Sequence, residues 1–267
     1  MTQANRTTER WASGDSYEPY VGRWSRLVAQ EFLEWLAVPA GRRWLDVGCG
    51  TGALTSVLLD QARPDSVVGL DASDDFVAWA RVQITDHRAS FQAGDAQRLP
   101  FDASSFDAVV SGLVLNFVAD PVVMVNEMAR VTHPGGTIGV YVWDYAGEMQ
   151  LMRAFWDAAK TLNPAAAELD EGGRFPICQP QPLRDLFAGC GLTQVELRSV
   201  DVPTVFRDFD DYWSPFLGGQ GPAPGYAMSL TEPDRDALKA LLREKLPPRP
   251  DGSIPLLARA WAVRGVR

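Results

Sequence analysis

Residues Trp44-Leu45-Asp46-Val47-Gly48-Cys49-Gly50-Thr51-Gly52 carry a hydrophobic run into three alternate glycines, and helical periodicity resumes directly after them. The pattern predicts a strand over 43–48, a tight turn, and a helix carrying Leu54, Val57 and Leu58. Gly48, Gly50 and Gly52 lack a Cβ, so the chain can turn sharply and lie against a ligand, while the first helical turn offers it free N–H groups. A second strand, Ser66 to Leu70, ends at Asp71. That separation is where doubly wound folds place an acid on ribose hydroxyls, so the two features together imply a nucleotide-like cofactor.

The glycine spacing narrows the ligand. A nicotinamide or flavin fingerprint needs G-x-G-x-x-G, and a phosphate loop needs a following Lys-Ser or Lys-Thr; this chain has G-x-G-x-G and neither of these. Four further stretches follow in order: Gly69-Leu70-Asp71-Ala72-Ser73, Gly94-Asp95-Ala96-Gln97-Arg98-Leu99-Pro100-Phe101, Phe106-Asp107-Ala108-Val109-Val110-Ser111 and Pro134-Gly135-Gly136. On these residues the chain resembles the class I S-adenosylmethionine-dependent methyltransferases, in particular the small-molecule branch of type 11 and ubiquinone/menaquinone-biosynthesis-like enzymes. The resemblance covers roughly residues 40 to 143. It implies an α/β, Rossmann-like, doubly wound seven-stranded sheet, mostly parallel with an antiparallel last strand inserted beside the fifth, and helices on both faces. It also implies direct methyl transfer from S-adenosyl-L-methionine to a small molecule, leaving S-adenosyl-L-homocysteine. A cofactor-binding protein without turnover is the rival reading.

Periodicity extends the alternation along the chain. A helix runs from Asp74 to about Ile84, strands cover 89–94 and 106–111, Pro121 opens a helix, and Gly135-Gly136 turns into a strand from Thr137 to Trp143. Beyond it, helices are expected over 147–162 and 182–188, a strand over 193–200, a short helix over 205–213 and a turn-rich loop from Gly218 to Gly225. A charged amphipathic helix from Glu232 to Leu246 and a final strand from Ile254 to Val263 complete the pattern. The whole chain, 1–267, reads as one methyltransferase domain. A helical arm occupies 11–40, the cofactor core 41–143, and substrate-specificity and cover segments 144–190 and 202–250.

Composition excludes several classes of partner. A net charge of −9 with dispersed acids repels nucleic acid, and Arg42-Arg43 is too short a basic run to reverse that. No apolar run reaches the roughly 18 residues of a spanning helix, the first ten residues are polar, and three scattered cysteines fit a reducing compartment. A cytoplasmic protein with no membrane insertion is expected. His87 and His133 are the only histidines; both fall on turns away from the strand carboxyl ends and make neither a base nor a metal site.

A sulfonium cofactor needs places for its amino-acid end, ribose and adenine. Backbone N–H groups around Gly48, Gly50 and Gly52 suit the carboxylate, and Asp46 suits the ammonium, although Asp46 can equally organise the glycine turn. Asp71 can accept from both ribose hydroxyls, with helix capping as its alternative role, and Ala72 follows it. Asp95 can accept from the adenine amine and the Ala96 N–H can reach a ring nitrogen; loop capping by Asp95 stays open. Ser111 ends the fourth strand at the ligand-binding crevice. Related enzymes fold an N-terminal segment over the cofactor, which puts Tyr20 and Arg26 beside it, with Arg23 competing for the same carboxylate. Tyr17, Asn116, Phe117, Trp143, Tyr145, Phe175, Trp213, Phe216 and Tyr226 are the candidate walls for an apolar or aromatic acceptor. Ser111-Gly-Leu-Val stands where enzymes acting on exocyclic base nitrogens carry Asn-Pro-Pro-Tyr or Asp-Pro-Pro-Tyr, which disfavours a base as acceptor.

Overall fold

Strand β1 (Arg43–Val47) is the central organiser, because Trp44, Leu45 and Val47 are buried and it pairs in parallel on both edges. Its neighbours are β2 (Ser66–Asp71) and β4 (Phe106–Gly112). The computed structural model describes residues 22–219 and 221–267, so Tyr17, Tyr20 and the side chain of Arg23 lie outside the described residues. With β3 (Ala89–Ala93), β5 (Thr132–Trp143), β6 (Thr193–Phe206) and β7 (Ile254–Val266), the strands form one sheet in the order β3-β2-β1-β4-β5-β7-β6. The first five run parallel, and β7 is antiparallel to both β5 and β6. Chain progression reverses between β1 and β4, which opens a crevice at the carboxyl ends of those strands.

The flanking helices follow from local capping. Helix α1 (Arg23–Leu36) packs Phe32 and Leu36 on β5 so closely that a Cβ at Gly139 would lie 2.8 Å from the Phe32 ring. Helix α2 (Ala53–Gln61) leaves the glycine turn, and α3 (Asp74–Gln83) starts at Ser73, whose hydroxyl accepts from the Phe76 N–H. Asp120 caps α4 (Pro121–Val131). Helices α5 (Gln150–Leu162), α6 (Glu171–Arg174) and α7 (Pro180–Gly189) lie between β5 and β6 in sequence, and α8 (Phe209–Trp213), α9 (Pro222–Ser229) and α10 (Glu232–Lys245) between β6 and β7.

Several expected boundaries differ. β5 begins at Thr132 rather than Thr137, because Thr132 pairs with Phe106 before the register shifts around Asp107. β6 continues past Val200 to Phe206: Val200, Val202, Thr204 and Phe206 turn inward between exposed neighbours, and β7 supplies a partner for each. The expected helix over 205–213 therefore shrinks to α8. Within the expected Gly218–Gly225 loop, Gly219 and Gly221 take positive φ and make the turn, after which Pro222 starts α9 with its φ already helical.

Candidate functional site

Backbone geometry builds the site first. The N–H groups of Gly48 and Cys49 both donate to Leu70 O, so the glycine turn is hung from the end of β2. Gly48 has φ +76°, and a Cβ there would come within 2.4 Å of Val114; Gly50 has φ +53° and an open outer face with nothing within 4 Å of that position. The turn thus closes behind and stays open in front, as a ligand cradle requires. In front lies a cavity of about 450 Å³ at the carboxyl ends of β1, β2, β4 and β5.

Two carboxylates face this cavity. Asp46 is 1% exposed; its Oδ2 accepts from Thr55 Oγ1 at 2.7 Å, while Oδ1 has no hydrogen-bond partner among the described residues. Burial, opposed by the Thr55 bond and reinforced by the charge of Asp71, pushes the Asp46 carboxyl up to about 7. Asp71 also lines the cavity, with Oδ2 accepting from Gly50 N at 2.8 Å and Oδ1 from Ser73 N at 2.9 Å. Burial raises its pKa too, against the lowering by those N–H bonds. Each Asp71 oxygen keeps acceptor capacity for a further donor, because a carboxylate offers about four lone-pair sites. Burial holds the adjoining Cys49 thiol far above its usual range, so it stays protonated and is no nucleophile.

Of the expected cofactor residues, Asp46, Gly48, Gly50, Asp71 and Ala72 line the cavity. Gly52 stands behind it, where a Cβ would meet Ile84 at 2.5 Å. Ser111 is fully buried and donates to Val47 O at 2.7 Å, stitching β4 to β1; Gly112 takes the lining position instead. Asp95 and Ala96 are off the cavity wall, and the Asp95 carboxylate accepts from Gln97 N at 2.8 Å, the loop-capping alternative. Arg26 is exposed on α1, while its neighbour Ser25 reaches the cavity.

The acceptor walls divide in the same way. Trp143, Tyr145 and Phe117 line the cavity, and Phe175 packs behind them, 5.3 Å from Phe117 and 5.6 Å from Tyr145 between ring centres. Asn116 is buried beside Phe117 in the chain, off the cavity wall, with both carboxamide atoms unpartnered among the described residues. Trp213, Phe216 and Tyr226 do not reach the cavity. They pack into an apolar cluster in which Phe216 stacks on Phe155 at 4.5 Å and Tyr226 lies 5.6 Å from Trp156. Sequence reading missed Ser25, Phe76 and Tyr141. Tyr141 was legible as the inner position two before Trp143 on β5, and a Cβ at Gly112 would sit 2.4 Å from its hydroxyl.

The histidines lie elsewhere, as expected. The side chain of His87 is 93% exposed, and His133 contacts Arg43 at the amino end of β1, opposite the cavity. No group of three potential ligands that could hold a metal ion occurs among the described residues. Nor is any described helix long and apolar enough to cross a membrane.

The unpartnered Asp46 oxygen, the open face of Gly50 and the spare capacity of Asp71 fit an ammonium, a backbone-bound carboxylate and a diol, respectively. Residues 45–140 match the family profile described as a methyltransferase domain. A demethylmenaquinone methyltransferase of Roseiflexus castenholzii is 43% identical over 103 residues, 38% of this chain and 43% of that protein. The chain spans about half the length of the curated relatives it matches. Among solved structures, the YcgJ protein from Bacillus subtilis has a TM-score of 0.59 at 17% identity, covering 90% of this chain and 97% of that one. Phosphoethanolamine N-methyltransferase 2 of Haemonchus contortus, in complex with S-adenosyl-L-methionine, has a TM-score of 0.57 at 16% identity, covering 90% and 52%. At such identities the shared feature is the fold. By sheet topology the chain has the Rossmann-like, seven-stranded fold of those solved structures, and its residues 45–140 match a methyltransferase domain.

Proposed function

We propose that the protein transfers a methyl group from S-adenosyl-L-methionine to a small apolar or aromatic molecule. The observation that carries this reading is the buried carboxyl of Asp46 on the cavity wall, whose Oδ1 has no partner among the described residues, together with Gly50 and Asp71 on the same wall. An unpaired buried acceptor costs about 1 to 3 kcal/mol, and a cofactor ammonium would remove that cost. When bound, the cofactor supplies an electrophilic methyl group on sulfur. The chain's own part is to hold both partners in line and to keep water out. Asp46, Gly50 and Asp71 would hold the cofactor with its methyl group open to direct displacement by the acceptor, whose proton would pass to bulk solvent once the site reopens.

Trp143, Tyr145 and Phe117 support an apolar, planar acceptor, and the name of the Roseiflexus relative points to the same kind of molecule. Phe117 is 39% exposed, which suits entry of the acceptor past its ring. We assign segments 144–190 and 202–250 to acceptor specificity and the arm before β1 to closure over the cofactor. Slower hydrogen exchange over residues 22–26 on adding S-adenosylhomocysteine would support closure, and unchanged exchange at saturation would reject it.

Two experiments test the main reading. Calorimetric titration should show micromolar-scale binding of S-adenosylmethionine or S-adenosylhomocysteine and no comparable binding of NAD; equal or stronger NAD binding rejects the assignment. Screening small-molecule extracts with tritiated cofactor then identifies the labelled product. Because no histidine lies at the cavity, the double substitution His87→Asn, His133→Asn should leave transfer nearly intact. A fall above about a hundredfold in the folded variant would restore a histidine base.

A further inference from the structure

A buried charge cluster lies behind the aromatic wall of the cavity. Arg153, Trp156 and Lys160 follow one another at helical spacing on a single face of α5, and all three hold the start of α6. Arg153 donates to both oxygens of Asp170, and Lys160 donates to its Oδ2 at 3.1 Å. Asp170 also caps α6 by accepting from Gly172 N at 2.9 Å, while the indole N–H of Trp156 donates to Glu171. Both carboxyls are buried. Burial raises the Asp170 pKa, but the bonds from Arg153 and Gly172 outweigh it and hold the carboxyl below its ordinary range, so the pair is ionised. A buried ion pair seldom stabilises a fold more than apolar side chains of the same volume would; its directional bonds do orient the elements that it joins.

The other side of α6 bears on the cavity. A Cβ at Gly172 would come to 3.0 Å from Tyr145 O and 3.1 Å from the Ala146 Cα, so α6 lies directly on the backbone that leaves β5. The Phe175 N–H then donates to Glu171 O, and the Phe175 ring packs on Tyr145 and Phe117, both on the cavity wall. We infer that Asp170, Glu171 and Gly172 are specificity-determining positioning residues: clamped to α5, they hold Phe175 behind the wall and so limit the methyl acceptor to a flat ring. The inference rests on the proposed function and names the residues through which segment 144–190 acts. A wall backed in this way does not recede from a thicker or branched acceptor, because packed side chains have low compressibility. A displacement of about 1 Å can cost on the order of a hundredfold in rate, so an acceptor pushed off the wall is transferred poorly.

Gly172→Ala tests the clamp from outside the cavity. Gly172 is helical without a positive φ, and alanine is the better helix former, so on local grounds the substitution should stabilise α6. If α6 positions the wall, the added methyl instead displaces the backbone at Tyr145 and Ala146. Hydrogen exchange on the full chain should then quicken at least about fivefold over residues 144–148 and 172–178. Calorimetry should leave S-adenosylhomocysteine affinity within about twofold of wild type. With tritiated S-adenosylmethionine and a small-molecule extract, the product labelled by wild type should fall at least about tenfold, with label appearing in bulkier products. Glu171→Ala should act in the same direction, and Glu171→Gln, which still accepts from Trp156, should keep wild-type exchange and labelling. If Glu171→Ala does not fold, Gly172→Ala carries the comparison. Wild-type exchange over 144–148 in folded Gly172→Ala, or an unchanged set of labelled products, overturns the clamp and leaves the methyltransferase reading intact. Failure of the wild type to bind either S-adenosylmethionine or S-adenosylhomocysteine overturns that reading, while the exchange comparison still decides whether α6 holds the wall.

Discussion

Replacing Asp71 with Ala is expected to weaken S-adenosylhomocysteine binding by about 1.5 to 3 kcal/mol, on the order of 10- to 150-fold in Kd. The carboxylate stands at the carboxyl end of β2, lines the cavity and keeps acceptor capacity on both oxygens. It also holds the glycine turn and the entry to α3, since Gly50 N and Ser73 N donate to it. Ala should therefore lower stability as well as affinity. Asp71→Asn separates the two effects: its one amide oxygen can still take a backbone N–H, while the charged acceptor for a diol is gone. Calorimetry on variants whose folding is verified by circular dichroism gives the answer, and wild-type affinity in folded Asp71→Ala would remove the ribose role.

Replacing Trp156 with Ala should cost about 3 to 5 kcal/mol of folding stability, the largest effect expected from a single side chain here. Trp156 is fully buried on α5, edge-on to Phe155 at 5.2 Å and tilted against Tyr226, and its Nε1–H donates to Glu171 at the start of α6. Removing it opens a cavity and strips the donor from a carboxyl that is itself 1% exposed. Trp156→Phe should cost less, about 1 to 3 kcal/mol, because it keeps most of the ring and loses the donor. Urea unfolding measures both. A loss under about 1 kcal/mol for Trp156→Ala would mean that the cluster under α9 closes over the gap.

The same carboxyl gives stability a pH dependence. Burial pushes Glu171 up to about 7, and burial does the same for Asp46, whereas in the unfolded chain both ionise near 4. Between those values the folded state holds protons that the unfolded state has released, so this contribution is complete below about pH 4, declines as pH rises, and is gone above about 7. The urea midpoint should accordingly fall from about pH 5 to about pH 7.5, and the fall should shrink in Glu171→Gln. A midpoint that rises across that window would show that both groups are ionised in the folded protein.

The parts of this molecule that sequence determined are those specified within a few residues. Glycine takes without strain the positive φ that the turn at Gly48 and Gly50 demands, Ser73 caps the helix three residues ahead of Phe76, and Pro121 pre-sets a helical start. Continuous apolar strands with intervening helices were enough to indicate a doubly wound sheet, and the acid that ends β2 to point to the crevice at the strand carboxyl ends. What tertiary structure alone decided depends on partners far apart in the chain. Phe206 stays in a strand because Ile254 pairs with it. Ser111 is a cross-strand tie because Val47 O is in reach, Phe216 and Tyr226 are packing groups because α5 presents Phe155 and Trp156 to them, and Trp213 because it packs on Phe216. An aromatic or polar side chain carries the same chemistry whether it meets a ligand or a neighbour. Only the path of the folded backbone sets which of the two is close enough to touch it, and that path is fixed by long-range burial rather than by local propensity.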